Sequence, residues 1–357
     1  MTRRDNEIHG AIVISLALLA CGILLWARWP ETATAARVLF WGGSSALVLL
    51  LALFPNQLRQ LNRFVPSLFL SPWTWLGLSM LIAALPLFDA EGLYGAKRHL
   101  ESTLMIRSGL WALICHLVFL AMLAEKEQLP LAHLILVLSG TCGLALLFIA
   151  QPDMFALLGL IFVCAAVGLS TRNCLRLWLP LTGIAGFLVL VMIILTSPYR
   201  LKRVLAAFDH ESDPYGRGFE PRVLKQALDQ AGWFGHHDIA NSAMNFLPKN
   251  LEWYTFNYLG LWMGKVAIFA LLLMLFLLAL MLILQLYHAT RLHRSILAGA
   301  VALFVLNLCW QIPGAFIPIL PNAHFGLPFL NPGQFSLATS LLLLFAAITT
   351  SERRSTA

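Results

Sequence analysis

Windows of about 20 consecutive apolar residues recur along the chain and constrain its fold more than any other feature. A helix needs about that many residues to cross the ~30 Å hydrocarbon core of a bilayer. Of all residues, 59% are hydrophobic and 11% are charged, whereas about 25% are charged in a typical soluble domain. The sequence therefore predicts an all-α polytopic membrane protein.

We predict about ten transmembrane helices, and the seventh and eighth are separated by one large extracytoplasmic loop at about 197–255. The first apolar window follows Arg3 and Arg4. It is interpreted as a retained helix, because Trp26-Ala27-Arg28-Trp29 follows it rather than a small-residue cleavage site. The expected spans are 9–27, 36–54, 68–88, 106–124, 130–149, 154–170, 177–196, 256–287, 295–313 and 334–350.

Basic residues assign an orientation to these spans. Most of those that flank spans fall on the N-terminal side, which the positive-inside rule makes cytoplasmic. Both termini are then expected in the cytoplasm and the chain in the bacterial inner membrane. Two segments carry bases on the opposite face, the loop with Lys97 and Arg98 and the segment 197–255, and these exceptions point to function. The bases on the N-terminal side are Arg3, Arg4, Arg59, Arg63, Lys126, Arg172, Arg176, Arg291, Arg294, Arg353 and Arg354.

Other binding classes find little support. The net charge of +7 is dispersed among loops without a basic patch, so no nucleic-acid partner is expected. The six cysteines lie in or beside spans without paired metal-ligand spacing. The run His236-His237-Asp238 is interpreted as a solvated loop, and no metal site is predicted.

The long loop carries three motifs in order. These are Pro198-Tyr199-Arg200-Leu201-Lys202-Arg203-Val204, then Asp213-Pro214-Tyr215-Gly216-Arg217-Gly218-Phe219-Glu220, then Leu247-Pro248. Together they resemble the large extracytoplasmic loop of the FtsW/RodA/SpoVE (SEDS) family.

Further similarity lies outside that loop. Gly95-Ala96-Lys97-Arg98, Gln151-Pro152-Asp153 and Leu327-Pro328-Phe329-Leu330 are each similar to a motif of the same family. The matches extend from about residue 95 to residue 336, and the family's ten helices agree with the predicted number. The resemblance implies one integral membrane domain over 1–357.

The resemblance implies an enzyme that polymerises undecaprenyl-linked lipid II into peptidoglycan strands beside a class B penicillin-binding transpeptidase. Such glycosyl transfer needs a general base for the acceptor hydroxyl and cations for the departing pyrophosphate. A divalent cation (Mg or Mn) is a candidate cofactor. The candidate pyrophosphate ligands are Arg200, Arg203, Lys97 and Arg98, and the residues expected to shape the loop are Asp213, Pro214, Gly216, Gly218, Leu247 and Pro248.

The position of the catalytic acid departs from the family pattern. Counting from Leu247-Pro248 without a gap places Trp253 where the family has an Asp, and an indole cannot accept a proton from a hydroxyl. Glu252, one residue earlier, is the candidate base, although one residue rotates a side chain by about 100° on a helix. Alternatively, Glu252 is an ordinary acid near a helix N-terminus, where the dipole favours it.

Two membrane-embedded motifs also depart from the family. Ile106-Arg107-Ser108-Gly109 lacks the Glu of the family's Gln-Pro-Ser-Glu, and Leu261-Trp262-Met263-Gly264 replaces its Glu-Glu-Leu-Gly. Because ionisable groups in membranes are usually functional, their replacement by apolar residues indicates a cavity that no longer handles the same charge, as in a divergent or inactive family member. The remaining polar residues either line a groove or join helices by hydrogen bonds, and these are His116, Asp153, Asn307 and Gln311.

Three functions remain open from the sequence. The chain is a divergent polymerase whose base is Glu252 or another carboxylate such as Asp238, a non-catalytic scaffold for a transpeptidase, or a transporter of a lipid-linked precursor. The retained Arg200 and Arg203 favour binding of a lipid substrate, whereas Trp253 favours lost turnover. Sparse intramembrane charge disfavours the transporter.

Overall fold

The computed structural model describes residues 71–88, 99–100, 106–151, 153–172, 175–196, 219–236, 238–240, 255–287, 289 and 291–316. Almost all of them are helical. The helices of this part of the chain are α1 (Pro72–Ala84), α2 (Ser108–Ala124), α3 (Leu131–Ala150), α4 (Met154–Ser170), α5 (Leu175–Thr196), α6 (Phe219–Ala231), α7 (Thr255–Leu286) and α8 (Arg291–Phe316). A 3-10 turn, Leu85–Phe88, extends α1.

The helices agree with the predicted spans wherever the two can be compared. All of them except α6 coincide with a predicted span, and their ends differ by no more than four residues. The spans 9–27, 36–54 and 334–350 lie outside the described residues. Within the described ranges, four helices have the length and composition to cross a membrane, and α1, α2 and α4 are shorter apolar helices. The four crossing segments are Leu131–Ala150, Trp178–Leu195, Asn257–Leu286 and Arg291–Cys309.

A short ladder interrupts the expected helical pattern before α2. Strand β1 (His99–Leu100) pairs antiparallel with β2 (Ile106–Arg107), with His99 opposite Arg107. The predicted fourth span begins at 106 and α2 begins at Ser108, so the predicted boundary is two residues early, whereas the all-α class is confirmed. Their backbone groups find partners across the ladder rather than within the helix.

The core lies around α2, which packs against α1, α4 and α8. Nearly every residue of α2 is buried, including Phe119. Small residues let its neighbours approach closely. A Cβ on Gly159 would lie 2.8 Å from a Leu113 methyl, and one on Gly299 would collide with Leu117. Such contacts fix the bundle where lipid supplies no hydrophobic drive for helix association.

Three links between consecutive helices lie at one end of the bundle, and they join α2 to α3, α4 to α5 and α7 to α8. Glu127, in the link from α2 to α3, forms an ion pair with Arg291 at 2.8 Å. The Ser170 hydroxyl, at the end of α4, lies 3.4 Å from that of Ser295 in α8. The beginning of α8 therefore meets the ends of α2 and α4, and α7 ends beside it. The beginnings of α2, α4 and α7 consequently share the opposite end.

The helix α7 is broken at Gly264, where φ is +83° and ψ is 178°. The turn after α6 fills the break. The backbone N–H groups of Lys265 and Val266 donate to the carbonyls of Gly232 (3.3 Å) and Trp233 (3.2 Å). These bonds replace helical ones that the break removes, as an internal helix break in a membrane protein requires.

We call this contact between the turn and α7 the joint. It also depends on Gly235, whose φ is +81°. Its neighbour His236 donates its backbone N–H to the Leu261 carbonyl at 2.9 Å. A Cβ on Gly235 would collide with the Trp262 carbonyl, just as one on Gly264 would collide with that of Trp233. Only a residue without a Cβ fits at either position.

The helix α6 was not predicted, since the segment 197–255 was read as a loop with a turn. Its apolar residues recur at i, i+3, i+4 and i+7, which is the pattern of an amphipathic helix. They form a second small core with the first turns of α7. The members of this core are Leu224, Ala227, Leu228, Ala231, Ala240, Tyr258 and Leu261.

The first testable prediction concerns the joint between the turn and α7. Gly264→Ala places a Cβ against the Trp233 carbonyl in a backbone region that L-residues avoid, which costs about 1–3 kcal/mol in strain alone. We expect a lower unfolding temperature for purified Gly264→Ala, measured by circular dichroism in detergent. Gly77→Ala is the matched control, because nothing lies within 4 Å of its Cβ. Equal unfolding temperatures for the two variants would contradict the prediction.

Candidate functional site

Apart from Asp238, the residues predicted to carry the chemistry lie outside the described part of the chain, so their positions stay predictions. Described elements nevertheless flank them in sequence. Arg98 directly precedes β1, Gly218 directly precedes α6, and Glu252 lies three residues before α7. The predicted residues outside the described ranges are Lys97, Arg98, Arg200, Arg203, Asp213, Pro214, Gly216, Gly218, Leu247, Pro248, Glu252 and Trp253.

The flanking elements belong to one end of the bundle. The strand β2 leads directly into α2, and α2, α4 and α7 all begin at this end. The described residues between 219 and 240, which include α6, pack on the beginning of α7. We call them the outer segment. The elements that border the predicted pyrophosphate ligands and the predicted base therefore meet at one end of the molecule.

A carboxylate lies among these helix beginnings. The Oδ1 atom of Asp153 accepts a hydrogen bond from the backbone N–H of Ala156 at 3.1 Å, so Asp153 caps α4. Its other oxygen faces α2. A Cβ on Gly109 would lie 2.8 Å from Asp153 Oδ2, which shows that the carboxylate occupies the space that a side chain at 109 would need.

Asp153 differs in exposure from the other described acids. The side chains of Glu125, Glu127, Asp229 and Asp238 are exposed, whereas Asp153 is half-buried. Asp153 is also the acid in this group that lies at the beginnings of α2 and α4. In the predicted resemblance, Gly109 takes the place of a Glu, and the carboxylate of Asp153 lies beside Gly109.

Two residues close in sequence to Gly109 and Asp153 carry buried polar groups, and they are Ser108 and Gln151. The Ser108 hydroxyl, next to Gly109, is buried and has no hydrogen-bond partner among the described residues. The Gln151 side-chain amide donates to the Ala83 carbonyl of α1, and its Oε1 atom has no described partner. Buried polar groups are usually paired. Within the described part of the chain, these two atoms, Ser108 Oγ and Gln151 Oε1, remain without a hydrogen-bond partner.

The segment Leu261-Trp262-Met263-Gly264, which the resemblance sets against the family's second acidic motif, takes part in packing. Leu261 is fully buried in the second core, and Trp262 packs against that core. Gly264 forms the break in α7. The apolar residues that replace the acids thus hold the outer segment to the membrane span, and a charge at Leu261 would be buried among aliphatic side chains.

The other polar residues at membrane depth have structural contacts. The Nε2 atom of His116 lies 3.2 Å from the Thr141 hydroxyl and joins α2 to α3. Asn307 is buried within α8. The side chain of Gln311 lies outside the described residues. His116 therefore has the interhelical role that was one of its two predicted readings.

No ligand set for a metal is found in the part of the chain that the structure describes. Within it, no group of three or more His, Cys, Asp or Glu side chains is arranged to hold a metal ion. Asp238, the acid of the predicted loop run, is exposed. No catalytic step is assigned to a metal.

The second testable prediction separates the charge of Asp153 from its capping role. Asn is as good an N-cap as Asp, whereas Ala loses the cap at a cost of about 0.5–2 kcal/mol. We expect Asp153→Asn to unfold at the temperature of the unmodified protein, and Asp153→Ala to unfold at a lower one. Thermal unfolding in detergent checks both variants. Equal losses in the two variants would show that the charge, not the cap, stabilises α4.

Comparison with known proteins gives a family match along nearly the whole chain. A family described as "Cell cycle protein", FTSW_RODA_SPOVE, matches residues 11–355. A protein of Aeromonas salmonicida (strain A449), named "Probable peptidoglycan glycosyltransferase FtsW", is 28% identical over 216 residues, which are 57% of this chain and 52% of that protein. A protein of the same name from Pseudoalteromonas translucida (strain TAC 125) is 31% identical over 222 residues, or 60% and 53%. The matched segment spans about half the length of these curated relatives.

Solved structures share the fold. A chain of a peptidoglycan synthase complex aligns with a TM-score of 0.68 and 21% identity over 97% of this chain and 98% of that chain. The rod shape determining protein RodA of Thermus thermophilus aligns with a TM-score of 0.64 and 18% identity over 97% of both chains.

Proposed function

The chain belongs to the FtsW/RodA/SpoVE family, and we propose that it is a divergent peptidoglycan glycosyltransferase that polymerises lipid II. The proposal rests on the family match over residues 11–355. Relatives that match this chain are named as probable peptidoglycan glycosyltransferases. The fold shared with a peptidoglycan synthase complex supports it. A class B penicillin-binding transpeptidase is the proposed partner.

The proposed arrangement in the membrane follows from the sequence and is supported by the bundle. We propose one domain over 1–357 with ten spans, both termini in the cytoplasm and the bacterial inner membrane as its location. The contacts between Glu127 and Arg291 and between Ser170 and Ser295 support this arrangement. They bring together loops whose basic residues the positive-inside rule assigns to the cytoplasm. The opposite end, with α6, then faces outward.

The proposed reaction forms a glycosidic bond at that outer end. The acceptor hydroxyl oxygen attacks the anomeric carbon of the donor, the bond from that carbon to the pyrophosphate oxygen breaks, and undecaprenyl pyrophosphate leaves. Guanidinium groups match phosphate oxygens in charge and geometry. Arg200 and Arg203, with Lys97 and Arg98, are therefore the proposed ligands of the departing pyrophosphate.

The proton of the acceptor hydroxyl needs a carboxylate. Glu252 is the proposed base because it precedes α7 by three residues in the sequence, and α7 begins at the outer end of the bundle. Asp153 is a second candidate, since it is half-buried at the same end and lies against Gly109. Asp238, the alternative considered from the sequence, is exposed.

The third testable prediction distinguishes these carboxylates by lipid II polymerisation in detergent, with and without a candidate transpeptidase. Loss of a general base lowers turnover by about 10²–10⁴-fold. We expect that loss for Glu252→Gln. Asp153→Asn, which keeps the cap, tests the second candidate in the same assay. Glu127→Gln is the control, because Glu127 lies at the opposite end of the bundle.

The outcome for the unmodified protein decides between enzyme and scaffold. Polymer that disappears with Glu252→Gln supports the displaced base, and polymer that disappears only with Asp153→Asn assigns that role to Asp153. If the unmodified protein is silent where Thermus thermophilus RodA is tested in parallel and polymerises, the enzyme proposal fails. Activity gained by Trp253→Asp would then show that only the base had been lost.

The fourth testable prediction concerns substrate binding. Because a hydrogen bond to a charged group contributes about 1.5–3 kcal/mol, Arg200→Ala and Arg203→Ala are each expected to weaken lipid II binding by about 10- to 100-fold. Binding is measured by microscale thermophoresis with fluorescent lipid II. Arg176→Ala is the matched control, since Arg176 is exposed near the beginning of α5, at the opposite end. Unchanged affinity in both outer-loop variants would rule out their proposed role.

A further inference from the structure

The turn that fills the break in α7 exposes two large aromatic side chains. Trp233 is 60% exposed and Phe234 is 83% exposed, and they lie between Gly232 and Gly235. The turn itself is fixed, because its backbone is bonded to α7 on both sides of Gly264. Its aromatic pair is therefore held outward at a defined height along α7.

The length of α7 sets that height relative to a bilayer. Its 32 residues extend about 48 Å at about 1.5 Å per residue, whereas a hydrocarbon core takes about 20 residues. Beyond Leu286 the chain reaches the exposed ion pair of Arg291 with Glu127, which belongs in water or among headgroups. Counted back from Leu286, about 20 residues reach the helical turn after Gly264. The break thus lies at the far boundary of the hydrocarbon core.

The surroundings of the break fit that boundary. Lys265, directly after Gly264, lies 3.7 Å from Asp229 of α6, and both side chains are partly exposed. Such a pair suits the headgroup level. Aromatic side chains, Trp above all, are enriched at the same level in membrane proteins.

Trp233 continues a surface that already faces lipid. Its ring stacks on that of Phe269 in α7, with centroids 6.4 Å apart and planes inclined by 21°. Phe269 is itself exposed, and it belongs to a stripe of exposed apolar residues that follows one side of α7 toward its end. The stripe consists of Val266, Phe269, Leu273, Phe276, Leu277, Leu280 and Leu284.

The apolar side of α6 is not available for lipid. Leu224, Ala227, Leu228 and Ala231 are buried against α7 in the second core, while Lys225, Gln226, Asp229 and Gln230 are exposed. The helix therefore does not lie on the membrane by its own apolar face, as a monotopic helix does. Among the residues described between 219 and 240, the exposed large apolar side chains are those of Trp233 and Phe234.

We propose that the turn 232–235 is a membrane anchor, in which Trp233 and Phe234 insert among the acyl chains of the leaflet on the α6 side. The partner is a lipid surface, and the anchor is separate from the proposed chemistry. It holds α6 against the bilayer while the joint at Gly264 holds it to the bundle.

Cysteine accessibility tests the anchor in lipid nanodiscs. The variants are Phe234→Cys, Asp238→Cys and Leu273→Cys, each compared with the unmodified protein to subtract labelling of its own cysteines. A membrane-impermeant maleimide is expected to label Phe234→Cys at least about tenfold more slowly than Asp238→Cys, because the reagent does not reach a thiol in apolar surroundings and burial there raises the thiol pKa. Leu273→Cys, on the lipid-facing stripe, sets the slow limit. Labelling of Phe234→Cys as fast as that of Asp238→Cys would overturn the proposal.

A second measurement avoids cysteine at this position. Trp233→Phe removes one indole, and the difference from the unmodified protein gives the emission of Trp233. In nanodiscs of lipids with brominated acyl chains, we expect the emission of Trp233 obtained from this difference to be quenched. The control is Trp178, which is exposed on α5 and whose emission is obtained in the same way from Trp178→Phe. Quenching by aqueous iodide instead would place Trp233 in water and overturn the anchor. Neither measurement depends on polymerase activity, so the proposed function and the anchor fail separately.

Discussion

A membrane-spanning backbone must satisfy its own hydrogen bonds, because lipid offers none, and the joint at Gly264 depends on that constraint. A break in α7 frees amide and carbonyl groups near the hydrocarbon boundary. The turn 232–236 supplies their partners through three backbone hydrogen bonds. The backbone groups of α7 around Gly264 are therefore paired only when this turn is in place, so the outer segment is part of the bundle.

The same joint explains a departure from the family pattern. Leu261 and Trp262 stand where the family motif has acids, and both now pack with the second core. Gly264, which the motif retains, supplies the left-handed backbone. Near the beginning of α2 the change is different, since Gly109 leaves its space to the Asp153 carboxylate. At Leu261 and Trp262, apolar side chains that pack with the second core take the place of the acids. At the beginning of α2, the carboxylate of Asp153 lies beside Gly109.

These two changes bear on whether the protein is active. Among the described residues, the half-buried carboxylate of Asp153 and the buried polar atoms of Ser108 and Gln151 lie near the beginnings of α2 and α4. Intramembrane polar groups are costly, and they persist mostly where they serve a function. We propose on this ground that the polar groups near the beginnings of α2 and α4 belong to the substrate site, which the polymerisation assay tests.

The sequence by itself determined the membrane class, the family and the positions of α1 to α5, α7 and α8. A span depends only on local length and composition, and family motifs are read directly from consecutive residues. The proposed ligands and base come from those motifs and lie outside the described residues. Only the tertiary structure decided that Gly235 fits against Gly264, that α6 covers the beginning of α7, and that Asp153 faces Gly109. Each of these contacts joins residues about 30 to 45 positions apart, and their distance in space depends on how helices pack, which no local pattern encodes.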